Sequence, residues 1–324
     1  MLGYIIQRSL QGIVVLLALS LLVFAGVYAI GNPVYILIDP RASPEQIEAT
    51  IRSLGLDQPL WRQYLIFLSN AVQGELGNSF LTNRPALTVI FERLPATLEL
   101  AFVAMLIAIV VGFPLGLFAG MRAGSTCDQF IMVVSILGFS VPSFWLGMLL
   151  IMFLAIELQV LPTTGRGDTI QILGVSVSIL TWDGLQHVVM PALNLAVFQA
   201  SLIIRLTRSA VREHLQLEYV KYARARGISP RRILSVHILK NILIPIVTVM
   251  GVQFGMLIAF TVVTESVFAW PGIGKLIIDS IANLDRPVIV AYVLVTAMLF
   301  IVINLCVDLA YATLDPRIRL SSKT

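Results

Sequence analysis

The chain has 324 residues, 58% of them hydrophobic and only 12% charged, with a net charge of +4 and a mean hydropathy of +0.91. Soluble globular domains carry charge on about a quarter of their residues, so that class is excluded and an integral membrane protein is indicated. Two cysteines and three widely separated histidines offer neither a disulfide framework nor a metal-ligand spacing.

No Asp, Glu, Lys or Arg occurs at 9–38, 100–121, 129–156, 184–204, 241–264 or 287–307. Each run has about the 20 residues a helix needs to cross a hydrocarbon core of roughly 30 Å. Spanning segments must satisfy their backbone hydrogen bonds internally, and the runs are too uniformly apolar for barrel strands. The expected fold is all-α and polytopic, with six transmembrane helices. The first run ends in the small-x-small "VYA" at 27–29. It is longer than the apolar region of about 7–15 residues in a signal peptide, so it reads as an uncleaved first helix.

Six spans place both termini on one side. That side, with Arg8, Arg122, the loop 205–240 and the tail, holds fourteen of the 22 Lys and Arg residues, against three in the opposite short loops 157–183 and 265–286. Basic residues in short loops mark the cytoplasmic side, so both termini are expected there. Cys127, in a cytoplasmic loop, and Cys306, in the last span, are not expected to form a structural disulfide.

The loop 39–98 is patterned. "SPEQIEATIRSLG" (43–55) reads as a short helix, with Ser43 capping, Pro44 at the first position and Gln46 completing a capping box. A second helix begins near Asp57-Gln58-Pro59 and puts Leu60, Tyr64, Phe67, Leu68 and Ala71 on one face. Both suit amphipathic helices packed on the protein's outer face. Spans two to five contain Pro114, Pro142, Pro191 and Pro245, which kink helices. "GFPLGLFAG" (112–120) supplies small residues for close helix packing.

Between the last two spans, Ile273, Leu276, Ile277, Ser280, Ile281 and Leu284 form one face of a helix too short to span. It is expected in the outer interface or dipping back as a lid, with Trp270, Pro271 and Gly272 at its hinge. "PGIGKL" is not a P-loop, because Ala269 stands where glycine is needed and Leu276 where Ser or Thr is needed. "GFSVP" (138–142) lacks the nucleophile-elbow pattern, and Ser140 has no evident base. Nearly charge-free spans argue against a proton relay. A passive channel stays open as a class, without a repeated selectivity motif to support it. Polar residues within spans, Asn194, Gln199, Ser201, Gln253 and Thr261, are candidates for a translocation path. For each, the alternative is an interhelical hydrogen bond worth about 0.6–2 kcal/mol.

The basic loop is the densest feature. Residues 209–226 read as a helix with Val211, Leu215, Tyr219 and Ala223 on one face. Gly227 is placed as its left-handed stop. Ser229 and Pro230 then open a second helix leading into span five. "KYARARGISPRR" (221–232) collects Lys221, Arg224, Arg226, Arg231 and Arg232. The charge anchors the loop in the cytoplasm. Tyr219, Tyr222, Ala223 and Ala225 also suit an apolar ridge that docks in a partner's groove. A lone helix pair between two spans does not suit DNA binding.

At these residues a family becomes recognisable. "EYVKYARARGISPRRILSVHILKNILIPIVT" resembles the cytoplasmic coupling signature of ABC importer permeases of the dipeptide/oligopeptide/nickel branch. Gly227 matches the signature glycine and Ala223 its second alanine, while Lys221 and Tyr222 depart from the general pattern. "LGLDQPLWRQYL", "GELGNSF", "RLPATLELA", "RLTRSA", "ESVFAWPGIG" and "NLCVDLAYATLDPRIR" are similar to the same branch in order and spacing.

The resemblance implies a type I permease fold, with an N-terminal helix and external loop at 1–93 and a permease domain at 94–324. It implies a bacterial inner-membrane subunit that pairs with a second homologous permease, two cytoplasmic ATPases and an external solute-binding protein. No cofactor is expected in this chain and it is not expected to be an enzyme, ATP and Mg residing in the ATPases. Di- or oligopeptides are the expected cargo, with nickel, glutathione or another small solute as alternatives. Glu218, Tyr219, Tyr222, Ala223, Arg226, Gly227 and Arg231 are the residues expected to couple to the ATPases.

Overall fold

The computed structural model describes residues 2–29, 43, 45, 51 and 57–314. Of the expected short helix at 43–55, only residues 43, 45 and 51 are described, and the rest lies outside the described residues. Helix α1 is Leu2–Ala29, α2 Leu60–Gln73 and α3 Ala86–Met121. Next come α4 (Thr126–Ser140) and α5 (Ser143–Glu157), the latter closing in a π-helical turn from Ile151. A small hairpin, β1 (Ile170–Ile172) and β2 (Val175–Val177), precedes α6 (Trp182–Gln216) and α7 (Glu218–Ala225). The chain continues in α8 (Pro230–Val267), α9 (Ile273–Ala282) and α10 (Arg286–Leu314). Among the described residues, five helices are long and apolar enough to cross a membrane, and α4 with α5 makes a sixth crossing if the bent pair is one span.

That pair corrects the expectation of a single helix at 129–156 kinked at Pro142. The two helices meet at 102°. A residue before proline is pushed out of the helical region, and Val141 is extended at φ −73°, ψ 127°, so Pro142 caps the new helix instead of kinking the old one. Pro114, Pro191 and Pro245 lie inside α3, α6 and α8 as expected, and α3 also holds Pro95.

The described chain falls into two compact units, residues 1–94 with 276–301, and 95–275 with 302–324. In the first, α2 packs on α1. The Tyr64 hydroxyl lies 2.9 Å from Ser20 Oγ, and Phe24 meets Tyr64 edge-on at 5.3 Å. Tyr64, Phe67, Leu68 and Ala71 are half-buried as their spacing requires, whereas Leu60 is exposed. The 78–80 segment is tied to the start of α10 by buried Asp285, which accepts from Ser79 Oγ at 2.5 Å and from the Phe80 N–H at 3.0 Å. The expected face of α9 is buried at Leu276, Ile277 and Ser280, but Ile281 and Leu284 are exposed.

In the second unit, Gly112, Gly116 and Gly120 carry α3 against α6 so closely that an added Cβ would meet backbone of α6 at 2.8–3.0 Å. Helices in lipid gain little from hydrophobic association and rely on such contact. Helix α4 lies along α6, with Ser135 Oγ donating to the Ser201 carbonyl at 2.9 Å. The hairpin, absent from the all-helical expectation, turns through Leu173 (φ 50°) and Gly174 (φ 82°), as a two-residue turn with both residues left-handed requires. Its base is held by Glu99, whose buried carboxylate accepts from Arg166 Nη2 at 2.5 Å and from the N–H groups of Ser178 and Ile179 at 2.7 and 2.8 Å.

Candidate functional site

The basic segment between α6 and α8 is an elbow with its own core. Helix α6 stops at Gln216 and Leu217 is extended (φ −70°, ψ 149°), so the single helix expected over 209–226 is two. The break places Glu218 in the first turn of α7, where free N–H groups favour an acid. Its carboxylate pairs with Lys221 Nζ at 2.7 Å, both side chains being exposed. Such surface pairs contribute about 0–1 kcal/mol.

Helix α7 ends as expected. Gly227 adopts φ +75°. Its N–H donates to the Arg224 carbonyl at 2.9 Å, and the Ile228 N–H donates to the Ala223 carbonyl at 3.2 Å. This paired closure is the Schellman motif, which wants glycine at the left-handed position. Ser229 then caps α8 through its backbone carbonyl, which accepts from Arg232 and Ile233, while its hydroxyl makes no capping bond.

The expected apolar ridge is not on the surface. Val211, Val220, Ala223, Ile233, Ile238 and Ile242 form a buried cluster, with Leu215 and Tyr219 packed against it. Helical periodicity sends 219, 220 and 223 to one side of α7, and that side meets α8. Ala223 and Tyr219 thus fasten the elbow internally. Tyr222 is 65% exposed, and the Arg226 guanidinium lies 5.5 Å from its ring. Ala225, Arg231 and Arg232 are also exposed. The outward surface is cationic with one tyrosine, carried by α7 and by the first turn of α8, a helix long and apolar enough to cross a membrane.

About two turns of α6 before the elbow, Arg208 grips Asp128 near the start of α4, through Nε at 2.5 Å and Nη2 at 2.8 Å. Asp128 is 1% exposed and also accepts from the Gly124 N–H at 2.8 Å. Sequence reasoning did not single out this anchor. Its local trace is Ser125-x-x-Asp128, where Ser125 Oγ accepts from the Asp128 N–H, a capping-box pattern.

The path candidates divide. Asn194 Nδ2 donates to Thr264 Oγ1 across α6 and α8 at 2.9 Å, the interhelical bond named as its alternative. Ser201 and Thr261 donate within their own helices, to Val197 and Ile258. Gln199 and Gln253 come together in one shallow cleft, lined also by Met105, Ile203, Val249 and Met250. Gln199 Oε1 is buried there without a hydrogen-bond partner among the described residues.

At the far end of α8, Trp270 and Gly272 are buried and Pro271 is half-buried. They belong to a knot around Glu265, which is fully buried. Its carboxylate accepts from Thr97 Oγ1 at 2.6 Å and from the Lys275 N–H at 2.9 Å. Thr97 Oγ1 in turn accepts from the Ile273 N–H at 2.9 Å, and Trp270 Nε1 donates to the Ala96 carbonyl at 2.9 Å. The expected lid hinge is therefore anchored. Thr97→Val removes both hydroxyl bonds at nearly constant volume. It should cost about 1–3 kcal/mol by leaving buried polar groups unpaired, read as a lower thermal midpoint of the detergent-solubilised chain.

Comparison with known proteins gives a consistent result. The profile described as "Binding-protein-dependent transport system inner membrane component" matches residues 112–320. The corresponding N-terminal profile matches residues 1–101. The di/tripeptide transport system permease protein DppB of Pseudomonas aeruginosa (strain UCBPP-PA14) is 39% identical, over 98% of this chain and 99% of the relative. The dipeptide permease DppB of Escherichia coli (strain K12) is 37% identical and the glutathione transport system permease protein GsiC of the same strain 39%, with the same coverage. In fold, the chain is similar to one in an inward-facing structure of the MetNI methionine ABC transporter, with a TM-score of 0.53 at 18% identity, covering 68% of this chain and 93% of that one.

Proposed function

The chain belongs to the family of binding-protein-dependent transport system inner membrane components, and on that premise we propose that it forms half of the pore of an ATP-driven importer of small peptides. The observation that carries the coupling part of this reading is the elbow. It is stiffened by its own core, closed by a left-handed glycine, and continuous with α8. An ATPase docked on Tyr222, Arg226 and Arg231 pulls directly on a membrane-crossing helix. The bundle then rocks between outward-open and inward-open states as rigid parts. In this reading the second pore half is a homologous permease, two ATPases hydrolyse ATP, and an external binding protein delivers cargo. The termini and the elbow lie in the cytoplasm of a bacterial inner membrane, in keeping with the basic excess on that side.

Peptide as cargo is supported by the dipeptide permeases among the relatives. Glutathione is the second reading, because a glutathione permease is equally similar. Deleting the gene in a strain without other peptide importers should abolish uptake of radiolabelled dialanine, with a plasmid copy restoring it. Unchanged dialanine uptake together with lost glutathione uptake would move the assignment to the second reading, and unchanged uptake of both would refute it.

A further inference from the structure

Arg205 borders the charge-free run 184–204 in sequence, but it lies inside α6, eleven residues before that helix ends at Gln216. Arg205 and Arg208 are one turn apart and reach in opposite directions along α4. Arg208 goes to Asp128, near the start of α4. The Arg205 guanidinium sits 4.3 Å from the ring centroid of Phe139, near its end. Asp128 and Phe139 are separated by about 16 Å of helix at 1.5 Å per residue, roughly half a hydrocarbon core of about 30 Å. Arg205 Nε reaches the Ser201 carbonyl, seven residues and about 10 Å of α6 from Arg208, so its charge sits about a third of a hydrocarbon core deeper than the Asp128 anchor.

The surroundings of this charge are open on one side. Phe139 stacks on Phe198 at 4.5 Å and 21°, and the two rings are 40% and 39% exposed. Arg205 Nε donates to the Ser201 carbonyl at 3.2 Å. Among the described residues its guanidinium has no acidic partner. An unpaired arginine at this depth cannot be left against lipid without a heavy penalty, and intramembrane charges face water-filled cavities or the bundle interior. Arginine on an aromatic face keeps its N–H edges free, and those edges match a carboxylate in two-point geometry.

We propose that Arg205, held on the Phe139 ring, is a water-facing station in the translocation path that takes a carboxylate of the passing substrate. This rests on the importer reading, whose cargo class carries at least one carboxylate per molecule.

The test uses the complete importer in lipid nanodiscs, with the exposed Cys127 and Cys306 replaced by Ser and Phe198→Cys as reporter. Anionic and cationic methanethiosulfonates of similar size are compared. The anionic reagent should react about tenfold faster, as a cationic cleft concentrates anions, and adding Arg205→Gln should bring the ratio to about one. No labelling, or a ratio indifferent to Arg205→Gln, overturns the proposal. The second outcome would fit an arginine neutralised by an acid of the partner permease. In proteoliposomes of the same complex, Arg205→Gln should cut dialanine uptake about tenfold and Arg205→Lys should recover most of it, the cost of losing and regaining one charge-assisted contact. Equal, undiminished uptake by all three forms would also overturn the station. Failure of the unmodified complex to take up dialanine tells against the importer reading itself, while the labelling ratio still reports on Arg205.

Discussion

Gly116→Val is expected to yield almost no folded chain. Gly112, Gly116 and Gly120 recur every four residues, on one face of α3. A Cβ at 116 would lie 2.6 Å from Thr207 Cβ and 2.8 Å from the Ile204 carbonyl oxygen. The second contact is backbone and cannot swing away. The helices must separate, and the contacts along three successive turns go with them. Overpacking costs about 1–3 kcal/mol in water-soluble cores, and this site belongs at or above the top of that range because contact is what holds helices together in lipid. Gly26→Ala is the control. A Cβ there meets nothing within 4 Å, and an exposed helical Gly→Ala should stabilise by about 0.5–1 kcal/mol. Yield and thermal midpoint in mild detergent decide the matter, and a wild-type midpoint for Gly116→Val would refute the close-packing account.

Gly227→Val should act differently, sparing the fold and damaging transport. Nothing lies within 4 Å of a Cβ built at 227, so there is no clash, but φ is +75°. A β-branched residue in that region is strained by about 1–2 kcal/mol or more. The buried cluster around Ala223 and Ile238 keeps the elbow attached to α8, so the strain is relieved by changing the angle between α7 and α8. On the importer reading, the reconstituted complex should keep hydrolysing ATP while uptake falls about tenfold or more, the population change that 1–2 kcal/mol produces. Gly227→Asn should lie close to wild type, because asparagine tolerates the left-handed region. Normal transport by a well-folded Gly227→Val would remove the elbow's angle from the mechanism.

The spans were legible because a segment facing lipid has no choice but to be apolar: five of the six charge-free runs overlap helices long enough to cross a membrane, and the sixth overlaps the bent pair α4 and α5. Gly227 was legible for a similar reason, since one residue type fits one backbone conformation. The break at Leu217 was not, because Gln216-Leu217-Glu218 contains no glycine or proline to mark it. Pro142 was visible, but proline alone does not say whether a helix bends or restarts. Pro95 and Pro114 sit within a continuous α3, whereas Val141 before Pro142 adopts the extended form. The hairpin had a readable signal in the alternation of Ile170-Gln171-Ile172 and Val175-Ser176-Val177 around Leu-Gly.

The candidate site was half legible. Pattern placed Ala223 on an apolar face and could not say whether that face met a partner or α8. The polar pairs were beyond reach. Asp128–Arg208, Glu99–Arg166 and Thr97–Glu265 join residues 80, 67 and 168 positions apart. A sequence names the charges without naming their partners. Arg205 was misplaced for the same reason, its position at the edge of an apolar run resembling a loop until α6 was seen to continue past it.

The central claim is that this chain is one half of a pore driven by partner ATPases. A tagged copy should be extracted from its native membrane in mild detergent, and everything that purifies with it identified. The account predicts two ATPase subunits and a second permease of the same family, in stable association and released by removing the elbow's outward charges at Arg226 and Arg231. The chain purifying alone, from membranes in which another multi-subunit transporter stays intact, would contradict it.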